Sequence, residues 1–386
     1  MFLIGDRNTI YGFAKAFTAV LAAALIFFVS AYVYAYDEEA ADPLDYNISE
    51  SIDEIFGMGF DTDFNNNVEK FGTGGFSFNI TALINDLAED FFYEISSSGE
   101  YLIMFIIIAA FSSVLSVMQS AVKNRQTADT AFFACFTLMS GIVVRVITLA
   151  MDYARDVIEQ MTVFITKLSP LMAGLMVASG KISSASVFRP VLSAAVYVIS
   201  ILCEKCIVPL ICFGAVLSIV NNLGGKTQIS NFTALIKSTT RWILTGILTI
   251  FTGLTAIYGF TAPGLDVLSA KTVKFAVGSL VPVVGGLLSD AVDTVVGSSV
   301  IMKNAVGTAG VIAIAGMCIV PVIKIAAIVF MLRLSAATTE PLSDKRISGL
   351  LSDGADVINI ILGMVITVSV MFIINISIMI AATNSV

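Results

Sequence analysis

From Val357 to Ala382 the chain reads VINIILGMVITVSVMFIINISIMIAA, without one charged residue. A helix crosses a bilayer with about 20 apolar residues, so this run is long enough to span one. Apolar runs also occupy residues 101–121, 130–149, 190–205, 207–220, 242–262 and 306–332. The segment 168–179 is shorter and carries Pro170 and Gly174, which fits a re-entrant piece. Composition agrees. Of the 386 residues 57% are hydrophobic and 13% charged, against about 25% charged in an ordinary soluble domain. No soluble fold of this length has the interior to hide so much apolar surface. The expected fold class is therefore all-α: a polytopic helical membrane protein with about seven or eight spans plus re-entrant and amphipathic helices.

The same composition narrows the chemistry. The chain has no histidine, which removes the commonest general base and metal ligand. Its five cysteines include one close pair, Cys203-Glu-Lys-Cys206. A structural zinc site needs about four ligands, and an isolated CxxC outside a thioredoxin-like context is a weak redox signal. Gly224-Gly225 and Gly285-Gly286 lack the Gly-Lys-Ser/Thr ending of a phosphate-cradling loop. Pro263-Gly264-Leu265-Asp266 lacks the first glycine of the intramembrane protease motif Gly-x-Gly-Asp. No catalytic, cofactor-binding or metal-binding residue is assigned, and the chain is read as a non-enzyme.

Three regions are expected. Residues 1–35 have Arg7 and Lys15, then an apolar run ending Val33-Tyr34-Ala35, the pattern of a signal peptide. An uncleaved anchor helix is the alternative. Residues 36–99 form an extracytoplasmic acidic arm and an amphipathic helix. The stretch from Asp37 to Glu69 contains no Lys or Arg, which argues against nucleic acid as a partner. Residues 100–386 are the polytopic membrane domain. Lys123 and Arg125, then Lys226, Lys237 and Arg241, then Arg333, Lys345 and Arg346 mark three basic loops. The positive-inside rule places all three in the cytoplasm and the C-terminus outside. That count requires 168–179 to cross. Residues 150–167 alternate charge with an apolar stripe and suit the interface plane.

Residues 281–307, VPVVGGLLSDAVDTVVGSSVIMKNAVG, interrupt an apolar run with charge and glycine. Placed on a helix, Gly286, Asp290, Asp293, Gly297 and Asn304 share one side. With Lys303 they form a candidate polar stripe or interaction surface. Small residues let another backbone approach, and two carboxylates one turn apart face protein or water rather than lipid. Three readings stay open: a surface-lying or packed helix, the wall of a conduit or multi-protein contact, and a cation-coupling site in a transporter. Arg145 and Lys324 are candidate intramembrane charges. Each either snorkels to an interface or has a partner, and Asp152 and Asp156 are the local acids for Arg145.

Four stretches carry a family resemblance. LSPLMAGLMVASGKISSASVFRPVL (168–192), VPLICFGAVLSIVNNL (208–223), residues 270–307 and TTEPLSDKRISGLLSDGADV (338–357) resemble the stage III sporulation protein AE family of endospore-forming bacteria. The likeness covers most of the chain from about residue 100 onward. It implies a membrane subunit of the mother cell–forespore channel or transport complex, in the mother-cell membrane surrounding the forespore. The implied partners are other stage III sporulation membrane proteins, including a cytoplasmic ATPase and ring-forming intermembrane proteins. The lipid bilayer and further copies of the chain complete the list. The resemblance transfers no catalytic residue. The alternatives are a stand-alone secondary transporter for a small solute and a non-conducting membrane scaffold.

Overall fold

The computed structural model describes residues 91, 93–95, 99–121, 125–223, 229–280 and 285–384; for residues 115–121, 125–129, 131, 187, 189, 191–193, 258–280, 285–295 and 381–384 only the backbone is described. The expected signal peptide and acidic arm lie outside these residues. The described chain is helical: α1 (Gly99–Ala121), α2 (Arg125–Ala178), α3 (Ile182–Ile201), a π-helical turn (Leu202–Ile207), α4 (Val208–Leu223), α5 (Ser230–Leu280), α6 (Gly285–Thr339) and α7 (Lys345–Asn384). Among the described residues, six helices are long and apolar enough to cross a membrane.

Several expected segments merge. The separate 130–149, 150–167 and 168–179 are one helix, α2, which runs through Pro170 without a break. Residue 170 lacks an N–H, and a proline inside a helix costs about 3 kcal/mol, but burial of Leu168, Leu171, Met172 and Leu175 holds the turn. So 168–179 is the end of α2, not a separate re-entrant piece. Segments 190–205 and 207–220 are likewise continuous through the π-helical turn. Two crossings fuse with their neighbours, which leaves the parity of the chain unchanged.

The α2–α3 turn has a local cause. Lys181 N–H donates to Met176 O and Gly180 N–H to Val177 O, each at 2.9 Å. This is the Schellman closure, which needs a left-handed residue after the helix. Gly180 takes that place with φ 78°, a conformation costly for any side chain.

At the centre stands α7, packed on α6, α2, α5 and α4. Of its apolar window 56% is buried, against 20–39% in the other five. Four contacts fix the register. A Cβ on Gly354 of α7 would fall 2.9 Å from Val143 of α2. The Ser369 Oγ lies 3.5 Å from Met161 Sδ. Leu168 and Ile376 both meet Gly310 of α6, and Met172 and Ile380 both meet Gly307. Thus α2 and α7 run parallel, and α6 runs against both. Glycine at 307 and 354 lets the helices approach where a larger residue would hold them apart.

The ends of α4 and α6 and the starts of α2, α5 and α7 converge at one end of the bundle. Arg346 lies 4.0 Å over the Phe132 ring, and Asn222 and Lys237 both reach Asp353. The three basic clusters therefore gather at this same end, but Arg125, Lys237, Arg241, Arg333, Lys345 and Arg346 stand on the ends of helices rather than in the loops between them.

Candidate functional site

At the basic-loop end, four helices bring polar groups together. Lys237 of α5 donates to Asp353 Oδ1 of α7 at 2.7 Å and lies 3.7 Å from Asp356 Oδ2. Asn222 of α4 donates to Asp353 Oδ2 at 2.6 Å. Arg333 of α6 pairs with Asp356 and donates to Ser352 Oγ at 3.1 Å. The helical spacing of Ser352, Asp353 and Asp356 turns them to neighbouring helices within one turn. The Lys237 side chain is only 8% exposed, so its pairing with these carboxylates offsets the cost of burying it. A cavity of about 250 Å³ opens beside it, lined by Ser230, Thr233, Arg241 and both acids among others.

The opposite end carries similar groups without the pairing. Lys303 of α6 is fully buried and makes one bond, to the Ile380 carbonyl of α7 at 3.3 Å. Among the described residues, Asn304 Oδ1, Ser169 Oγ and both polar atoms of Asn375 are buried with no hydrogen-bond partner, as is Ser218 Oγ one turn before Asn222 on α4. Asn375 is 1% exposed.

A third feature runs along the outside of α2. Arg145, Thr148, Asp152, Arg155, Asp156 and Glu159 are all exposed and follow one helical face. Its depth is fixed. The Tyr153 ring lies 5.3 Å from Lys324 Nζ, and the Val143 and Met161 contacts bracket the stretch against Gly354 and Ser369. The charges are therefore level with the apolar run of α7 that begins at Val357. Exposed Val320 and Phe330 of α6 occupy the same depth.

The candidate stripe on 281–307 is divided. α6 begins at Gly285, so the helical expectation holds from there. Residues 281–284, and the side chains of Gly286, Asp290 and Asp293, lie outside the described set. Gly297 is exposed and open, with nothing within 4 Å of a Cβ. Lys303 is enclosed, and Asn304 is half-buried. About 27 Å of helix rise separates Gly285 from Lys303, while α7 ends at Asn384, four residues beyond the matching Ile380. Asp290 and Asp293 stand on α6 between Gly285 and Lys303. Arg145 is exposed and forms no ion pair with Asp152 or Asp156. Lys324 has the Tyr153 ring.

The loop-end cluster is absent from the sequence reading because its members are far apart in the chain. Its signal is nonetheless visible: Asp353 and Asp356 stand one turn apart immediately before the longest charge-free run, while Lys237 and Arg333 sit near the ends of two other apolar runs. Cys203 and Cys206 fall in the π-helical turn as free thiols. Among the described residues no three His, Cys, Asp or Glu side chains come together as a metal-binding set.

Residues 62–383 match the protein family described as Stage III sporulation protein AE. A relative of that name from Bacillus subtilis (strain 168) is 29% identical over 315 residues, covering 82% of this chain and 79% of its own. No solved structure matches.

Proposed function

Because the chain belongs to the stage III sporulation protein AE family, a sporulation protein with membrane-capable helices, we propose that it is a membrane subunit of the mother cell–forespore transport complex. In this reading it forms part of a conduit or export platform in the mother-cell membrane around the forespore. A separate ATPase supplies the energy, and ring-forming intermembrane proteins continue the path. The subunit itself catalyses no reaction.

The charged face of α2 carries this reading. A charge at the bilayer centre costs about 2.5–3.5 kcal/mol on an insertion scale. Arg145, Asp152, Arg155, Asp156 and Glu159 are exposed, and their depth matches the apolar run of α7. Val320 and Phe330 suit lipid at that depth, whereas the α2 face suits water or protein. A solitary chain surrounded by lipid would leave these charges uncompensated. An assembly that turns α2 inward removes the conflict. A stand-alone transporter draws instead on Lys303, a buried lysine with no acidic partner among the described residues, the kind of group such proteins use.

The test replaces the five native cysteines and introduces single cysteines at Asp152, Arg155, Glu159, Val320 and Phe330 in sporulating cells. The expected result is labelling by a small membrane-impermeant thiol reagent at the α2 positions and protection at Val320 and Phe330. Equal labelling of both sets would place this depth outside the bilayer and remove the conduit argument. Protection at all five would replace a wet wall by a protein contact.

A further inference from the structure

The wall of the cavity at the basic-loop end is of two kinds. Lys237, Asp353 and Asp356 are spent on one another and on Asn222 and Arg333. Asn221, Ser238 and Arg241 line the same cavity, and among the described residues their side chains have no hydrogen-bond or ion-pair partner. The paired groups fix the wall, and the unpaired ones are available to a ligand. Three cations, Lys237, Arg241 and Arg333, stand here against two carboxylates, Asp353 and Asp356. The surplus positive charge resides on Arg241, because the two acids keep their own cations. Its guanidinium fork matches the oxygens of a phosphate. Ser238 stands one turn before it on α5, so one phosphate reaches both. The Ser238 hydroxyl and the Asn221 amide donate and accept, which suits a polyol attached to that phosphate.

Depth indicates where such a group comes from. α5 carries no charged residue from Trp242 to Leu265, and α7 none from Val357 onward. Lys237 meets both Asp353 and Asp356, so the two charge-free runs begin at one level, beside the cavity. That level is the boundary between hydrocarbon and headgroups. Trp242, the single tryptophan of the chain, is 53% exposed there, at the depth this residue favours in membrane proteins. Past it, the exposed Thr245 and Thr249 give their hydroxyls to the carbonyls of Arg241 and Thr245, which leaves no free polar group for an acyl chain to meet.

We propose that this cavity binds the headgroup of an anionic phospholipid of the phosphatidylglycerol type. The phosphate sits on Arg241 and Ser238, the glycerol hydroxyls reach Asn221, and an acyl chain follows Trp242 and Thr245 into the bilayer. A volume of about 250 Å³ takes the phosphate with the short polyol it carries.

Trp242 reports on the site directly. The purified full-length protein is reconstituted in phosphatidylcholine vesicles that contain either brominated phosphatidylglycerol or brominated phosphatidylcholine, and quenching of its fluorescence by bromine is measured at constant ionic strength. The expected result is a preference of about fivefold for phosphatidylglycerol, the effect of one basic residue at a membrane surface. Arg241→Gln should abolish the preference. Lys345→Gln removes another exposed cation of the same end, outside the cavity, and should retain it. Ser238→Leu narrows the cavity without changing a charge, should weaken the preference, and serves if the Arg241 variant does not fold. Equal quenching by both lipids in the native protein would leave the cavity to water. Equal loss in the Arg241 and Lys345 variants would mean diffuse attraction to the basic end. Relief of the quenching by inorganic phosphate, but not by chloride, would assign the cavity to free phosphate. Each of these three results overturns the proposal.

Discussion

The two ends of the bundle use the same residue types to opposite effect. At the basic-loop end, Lys237 and Arg333 meet Asp353 and Asp356, with Asn222 and Ser352 completing the network. At the far end, Lys303, Asn375 and Ser169 are at least as deeply buried and hardly bonded. A satisfied polar network fixes the helices relative to one another. An unsatisfied one costs stability in the isolated chain and is kept only if something else completes it. The first end therefore reads as architecture, and the second keeps buried polar atoms that the described residues do not satisfy.

The largest expected effect comes from breaking the paired end. Asp353→Ala removes the nearer carboxylate and leaves the Lys237 ammonium, 8% exposed, with Asp356 at 3.7 Å. The expected loss is about 2–4 kcal/mol, measured by chemical unfolding in detergent. Lys237→Met added to that variant should recover most of the loss, because two apolar groups need no pairing. If the double variant is as unstable as the single one, the pair is not what holds α5 to α7. Lys303→Met has the opposite expected sign, and equal losses at both ends would erase the contrast between them.

Two glycines of α6 give a smaller effect. A Cβ on Gly307 would meet Ile380 at 2.5 and 2.7 Å, whereas one on Gly297 meets nothing within 4 Å. Gly307→Ala should cost about 2 kcal/mol through overpacking against α7. Gly297→Ala should gain about 0.5–1 kcal/mol through helix propensity. Gly297 belongs to the candidate stripe, so co-purification with other sporulation membrane proteins adds a second readout. A variant that is more stable alone yet assembles poorly places a partner against Gly297.

How much was legible follows from what each signal encodes. The uninterrupted run 357–382 and the run 306–332 identified α7 and α6 directly, because bilayer-length apolar stretches have few other uses. Helix continuity was harder. The charges of 150–167 and the proline at 170 read as a change of element, but burial against α7 overrides both local signals in α2. Lys303 was visible as a charge next to an apolar run, yet nothing local reveals that it is enclosed without an acidic partner among the described residues. The Asn222–Lys237–Asp353 contacts join residues more than one hundred positions apart, and only the folded register brings them together. The charge face of α2 was written in the sequence at helical spacing, but its depth came from Tyr153, Val143 and Met161 meeting their partners.

The smallest expected effect separates the loop-end network from its rim. Asp344 precedes α7 and accepts the Arg346 backbone N–H at 2.9 Å, with the Arg346 guanidinium 3.2 Å from its other oxygen. Partial burial pulls the Asp344 carboxyl upward, but the hydrogen bonds and charge of Arg346 outweigh it and hold the group below the ordinary carboxylate range. A group whose folded value is depressed stabilises the fold above its unfolded value, and that contribution is lost as pH falls through the folded one. Asp344→Asn should therefore lower Tm slightly at neutral pH, because the side chain is partly exposed and its pair screened by solvent. The gap between the two proteins should close as pH falls below about 4. Thermal unfolding between pH 3 and 7 measures it, on the acid-resistant side of any general unfolding. A gap that persists unchanged to the lowest pH at which both remain folded would mean that Asp344 acts as a neutral cap on α7 and that its charge adds nothing at this rim.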